Sequence, residues 1–221
     1  MNIKLFPTFL TIHEYDRHDE LVSIHDTICS NHLVGGKAGE AISGNSLHHE
    51  KSLSPFYTWV SEMAIDYLMQ LNMNMSKFDL LLAKSWLSYV KSDIGTIPPH
   101  SHADHHLSFI YYVRAPPDSD MLSFGLPFNE SINEPFYEAF NYRYNNINDF
   151  NELNSTSWSF DVAPSQLWIF PSKLRHWTKR VKSDFTGVRQ AIAGDFKLVY
   201  NDVNNKTPFG MYYESHSRKF V

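Results

Sequence analysis

At 221 residues the chain has room for one large single-core domain, and 43% hydrophobic against 19% charged residues excludes a disordered chain. A net charge of −5 and a pI near 6.2, without a basic stripe, argue against nucleic acid as the main partner. No apolar run is long enough for a membrane span, and the opening MNIKLFPTFL reads as neither a signal nor a transit peptide. With Cys29 the single cysteine, no internal disulfide forms and a reducing cytoplasm is the expected compartment.

In chain order, two helices are predicted first. Leu21, Ile24, His25 and Ile28 recur at helical spacing within 19–29. A broader stripe of Phe56, Trp59, Val60, Met63, Ala64, Tyr67, Leu68 and Leu71 occupies 54–73, with Ser54 expected as N-cap and Pro55 at N1. Strands follow. Phe78–Leu82 and Ser85–Val90 are short and apolar, LSFIYYV at 107–113 is rich in aromatic and β-branched residues, and SQLWIF at 165–170 and RQAIAGDF at 189–196, followed by KLVY, complete the set. No helical pattern separates these strands pairwise, which predicts antiparallel sheets rather than βαβ units. Helices first and strands after predict a mainly β fold, a jelly-roll barrel braced by N-terminal helices. We divide it as 1–76 (first strand and supporting helices), 77–200 (barrel core) and 201–221 (tail), all within one domain. An Asn- and aromatic-rich insertion at about 127–157 is expected to form a partly ordered flap near the barrel mouth.

The chemistry concentrates in PPHSHADHHLS, residues 98–108. In extended backbone, His100, His102, Asp104 and His106 share one face. Imidazoles beside a carboxylate suit a divalent transition metal, Fe(II) among them, with positions left open for other ligands. His176, in PSKLRHW after the strand SQLWIF, is the expected third ligand, brought close by a neighbouring strand. Taken alone the motif could equally be a His-rich surface turn.

The ordered set SWLSYVKSDIGTIPPHSHADHHLSFIYYV, WIFPSKLRHW and RQAIAGDF resembles the iron(II)- and 2-oxoglutarate-dependent oxygenases. The likeness is nearest to a phage-encoded and bacterial group related to the prolyl 4-hydroxylase branch. It runs from Leu5 to about Phe196, with LFPTFL resembling the family's first strand. The resemblance implies a double-stranded β-helix, Fe(II) as cofactor, and 2-oxoglutarate and O2 as cosubstrates. It carries His102, Asp104 and His176 over as metal ligands. Arg189 matches the basic residue that pairs with the far carboxylate of 2-oxoglutarate, a task suited to a guanidinium fork, and Tyr112 matches a tyrosine donating to that carboxylate. Arg189 shares a face with Ala191, Ala193 and Asp195, whose two small residues leave room for a ligand.

Two departures stand out. Relatives often read His-x-His in the first motif, so His100/His102 is an alternative register; His102/Asp104 is preferred because it supplies a carboxylate. Ser165 stands where relatives often carry Gly. The implied reaction couples decarboxylation of 2-oxoglutarate, giving succinate and CO2, to oxidation of a substrate, with hydroxylation expected. A cupin-type metalloprotein of other activity and a non-catalytic jelly roll are the rivals; Arg189 speaks against the first, and the three filled ligand positions speak against the second. The substrate, small molecule or peptide, is not legible, and the oligomeric state stays open, a homodimer included.

Overall fold

The computed structural model describes residues 8–32, 45–91, 96–125, 151, 155, 157–180, 187–201 and 218–221. Its elements in chain order are β1 (Thr11–Glu14), α1 (His18–His32), α2 (Ser54–Gln70), β2 (Phe78–Lys91), β3 (Leu107–Arg114), β4 (Met121–Gly125), β5 (Ser157–Phe160), β6 (Gln166–Pro171), β7 (Arg175–Lys179) and β8 (Val188–Tyr200). Five strands form one antiparallel sheet in the order β1-β6-β3-β8-β2, and three form a second in the order β5-β4-β7. Two facing antiparallel sheets with crossing connections make the expected double-stranded β-helix. Among the described residues no helix is long and apolar enough to cross a membrane.

The large sheet separates two interiors. One face packs on the helices: Leu107, Phe109, Tyr111, Leu167, Ile169, Ile192 and Phe196 meet Phe56, Val60, Ala64, Tyr67 and Leu68 of α2 and Leu21 of α1. The opposite face meets the small sheet through Tyr112, Leu122, Phe124, Trp168, Phe170 and Ala191. Because successive residues of a strand point to opposite sides, each strand contributes to both interiors in alternation.

Several expectations change in detail. Ser54 is the first residue of α2 rather than its cap; a 3-10 turn at Lys51–Leu53 leads in and Leu53 occupies the cap position without a side-chain bond. Leu71 lies past the helix end and is 48% exposed. The first strand is Thr11–Glu14; residues 8–10 precede it, and 1–7 lie outside the described residues. The two short segments expected at 78–90 are one strand, continuous through an irregularity that pairs Leu82 with Phe196 but Lys84 with Asp195, leaving Ala83 as the extra residue. That bulge reverses the facing of β2. Leu80 and Leu82 enter the helix-side core, whereas Lys84, Trp86 and Ser88 turn to the other interior. Ser165 has φ 69, the left-handed region in which glycine is at ease, which accounts for the glycine of relatives at this turn. Of the tail, Arg218 bridges to Leu82 on the outer edge of β2 and Phe220 packs on Tyr57. Most of the 127–157 insertion lies outside the described residues, and the flap expectation with it.

Candidate active site

Residues 97–100 run along β7 of the small sheet, and the segment continues to His106 through backbone bonds to Ser172 and to Phe196 of β8. His100 and His176 exchange N–H···O bonds of 3.0 and 2.9 Å, His102 N–H donates to Ser172 O at 2.8 Å, and Thr178 N–H donates to Ile97 O at 3.1 Å. This antiparallel bridge sets His100 directly beside His176 on β7. The ring centres of His100, His102 and His176 lie 4.3 to 5.1 Å apart, and one ring nitrogen from each falls within 4.8 Å of the others.

Hydrogen bonds decide which nitrogen. His100 Nδ1–H donates to Pro98 O at 2.9 Å, and His176 Nδ1–H donates to Leu174 O at 2.9 Å. A carbonyl only accepts, so in both rings the δ nitrogen carries the proton and Nε2 keeps its lone pair. His102 Nδ1 lies 2.7 Å from Asp195 Oδ1, which fixes its tautomer in the same sense. Burial, with His100 beside it, pushes His176 down to about 3, so this imidazole stays neutral across the physiological range. Burial lowers His100 as well. Three clustered imidazoles, each with Nδ1 engaged and Nε2 left free, are a donor set for a divalent transition metal.

Asp104 does not join them. The expectation that it shares their face assumes regular extended backbone, but Ala103 and Asp104 form a turn and Asp104 is exposed. The cluster is His100, His102 and His176, and the position expected of the carboxylate is held by His100. His105 and His106 turn elsewhere. His105 is buried behind the cluster, with Nδ1 3.8 Å from Asp195 Oδ2, and His106 Nδ1 accepts from the backbone of Leu198 at 3.1 Å.

Arg189 and Tyr112 lie together further in. Arg189 is 4% exposed, donates to the Asp120 carbonyl at 2.6 Å, and holds its guanidinium carbon 5.3 Å from the Tyr112 ring centre. Asp120 is held in turn by an ion pair with Arg180 at 2.5 Å. The Tyr112 hydroxyl is buried and has no partner among the described residues. A buried cation beside an unsatisfied hydroxyl is a costly arrangement that a bound carboxylate would satisfy. The intervening cavity measures about 240 Å³, and its walls include the three histidines, Arg189, Trp86, Ala191 and Ala193. Sequence reasoning passed over Asp195 and Lys84. Asp195 had been placed on the Arg189 face, but its bond to His102 spans most of the barrel sequence and no local pattern announces it.

The profile of a family described as "Putative 2OG-Fe(II) oxygenase" matches residues 84–195, just over half of the chain. No curated protein matches the sequence. Among solved structures, the non-haem α-ketoglutarate-dependent carbocyclase SnoK from nogalamycin biosynthesis aligns at TM-score 0.57 and 10% identity, covering 87% of this chain and 82% of its own. HygX from Streptomyces hygroscopicus, solved with nickel and 2-oxoglutarate bound, aligns at 0.54 and 10% identity over 86% and 82%. A Pseudomonas putida prolyl-4-hydroxylase aligns at 0.51 and 11% identity over 86% and 92%. At such identities the likeness is one of fold. With the family profile spanning both edges of the site, from Lys84 to Asp195, the chain belongs to the 2-oxoglutarate- and iron(II)-dependent oxygenases, with Fe(II) as its metal and 2-oxoglutarate and O2 as cosubstrates.

Proposed function

We propose that the protein is a hydroxylase whose Fe(II) is held by Nε2 of His100, His102 and His176, and whose 2-oxoglutarate is anchored by Arg189 and Tyr112. The observation that carries this reading is the set of Nδ1 bonds, which leaves Nε2 of each ring free in a cluster that shares its cavity with a buried guanidinium. Iron(II) with 2-oxoglutarate supplies oxidative decarboxylation to succinate and CO2 together with substrate oxidation.

The chain's own residues do the rest. Arg189 offers two parallel N–H donors to the far carboxylate, and Tyr112 adds an O–H donor to it. Ala191 and Ala193 leave the space between that anchor and the histidines open, so that 2-oxoglutarate, when bound, would reach from Arg189 toward the cluster. Phe170 and Phe124, with ring centres 4.8 and 6.5 Å from that of His176, exclude water from its inner side. Trp86 and Trp177 on the cavity wall offer aromatic surface to an incoming substrate, a small molecule or a peptide side chain.

The test is succinate formation from 2-oxoglutarate with added Fe(II) and no other substrate, followed by a screen of metabolites and peptides for a product with one added oxygen atom. Failure to form succinate would refute the catalytic assignment. A product rearranged without added oxygen would refute hydroxylation alone.

A further inference from the structure

The three proposed ligands are not held alike. His100 and His176 donate Nδ1–H to neutral backbone carbonyls. His102 faces a carboxylate that is 0% exposed, with Oδ1 at 2.7 Å. The same oxygen accepts from the Ser108 hydroxyl at 2.5 Å, and Oδ2 lies 3.0 Å from Lys84 Nζ. Lys84 stands opposite Asp195 in the β2–β8 register and Ser108 opposite it in the β3–β8 register, so both neighbouring strands clamp one carboxylate. The bulge at Ala83 is what brings Lys84 to this side. Such a construction is expensive in desolvation, and its close ring contact is with His102, His105 Nδ1 lying farther off at 3.8 Å from Oδ2.

Building on the His100/His102/His176 ligand set, we infer that Asp195 is a positioning residue for the metal, acting through His102. It fixes the Nδ1–H tautomer, orients the ring so that Nε2 faces the other two, and makes His102 the most electron-rich of three otherwise neutral ligands. A carboxylate is thereby placed one residue removed from the metal, with Ser108 holding Oδ1 and Lys84, whose charge offsets part of it, holding Oδ2. Orienting groups of this kind contribute about 10- to 100-fold in metal affinity.

The experiment uses Zn(II) and Ni(II) as probes and needs no turnover. Nitrogen-15 NMR of the Zn(II)-loaded wild-type protein is expected to show Nε2 of all three histidines bound and a slowly exchanging Nδ1 proton on His102 at unusually low field. Asp195→Asn is expected to move that proton upfield, leave the His100 and His176 signals in place, and weaken Ni(II) binding about 10- to 100-fold by calorimetry. Ni(II) affinity within about twofold of wild type together with an unmoved His102 proton would overturn the inference. So would wild-type His102 binding zinc through Nδ1, a result that does not depend on the variant folding. If zinc instead leaves His100 and His176 unperturbed, the ligand set fails, and the inference with it.

Discussion

The two faces of the five-stranded sheet are built from the same strands and differ in almost every other respect. Toward the helices, Phe109, Tyr111, Ile192 and Phe196 fill the space with apolar volume. Toward the small sheet, alternate residues of those strands are Ser108, Tyr112, Ala191, Ala193 and Asp195, which leave a cavity and carry the polar groups around it. One face contributes stability by burial; the other spends some of it on a buried charge network and open space. Strand alternation allows this division, and substitutions one residue apart should therefore have unlike consequences.

The largest effect is expected at β7. His176→Ala leaves two histidines to hold a labile ion, so one-to-one Ni(II) binding and succinate formation should both be lost; unchanged metal affinity would remove His176 from the site. On the opposite face, Ile192→Ala should cost about 2–5 kcal/mol in urea unfolding and leave the metal affinity of the folded fraction near wild type. A large loss of metal affinity in that variant would blur the division between faces.

Arg189→Ala removes the cosubstrate anchor without touching the metal. A buried charge pair lost this way costs about 2–5 kcal/mol, which corresponds to a 2-oxoglutarate requirement raised roughly 30-fold or more. Anaerobic titration into the metal-loaded variant measures it, and wild-type affinity would contradict the anchoring role. Gly194→Ala probes the sheet between the two faces: a Cβ there would lie 2.5 Å from the Phe109 ring and 2.7 Å from the Lys84 carbonyl oxygen. It should destabilise by about 1–3 kcal/mol.

The smallest expected effect is one of pH. Burial, first, lowers the His25 pKa, with the bond to Asp26 opposing it in part. The unfolded chain then binds a proton that the folded chain does not, so stability falls as pH drops below about 6.5. His25→Gln should flatten that decline in urea midpoints; an equally steep decline would mean that other buried histidines carry it.

The helix-side face was the more legible of the two. The stripes of α1 and α2 and the aromatic strands follow from periodicity, because apolar burial is repeated locally along the chain. The first strand is expected at LFPTFL, just ahead of β1, and the short strands β4, β5 and β7 are not legible, since 4 or 5 residues carry too little alternation to stand apart from loops. On the cavity face, His102, His176, Arg189 and Tyr112 are named from motif order and resemblance, and the structure brings His102 close to His176 and Arg189 close to Tyr112. Asp104 was favoured because a dication calls for a carboxylate. The reasoning about charge has a counterpart in Asp195, but regular alternation breaks at the turn of Ala103 and Asp104, and a contact between residues 102 and 195 leaves no local trace.

The proposed metal centre consists of three histidines, without Asp104. Ni(II) titration of His100→Ala and Asp104→Ala, side by side with the wild-type protein, tests it directly. His100→Ala is expected to lose one-to-one binding while Asp104→Ala binds as the wild type does; loss of binding in Asp104→Ala with retention in His100→Ala would contradict the three-histidine centre.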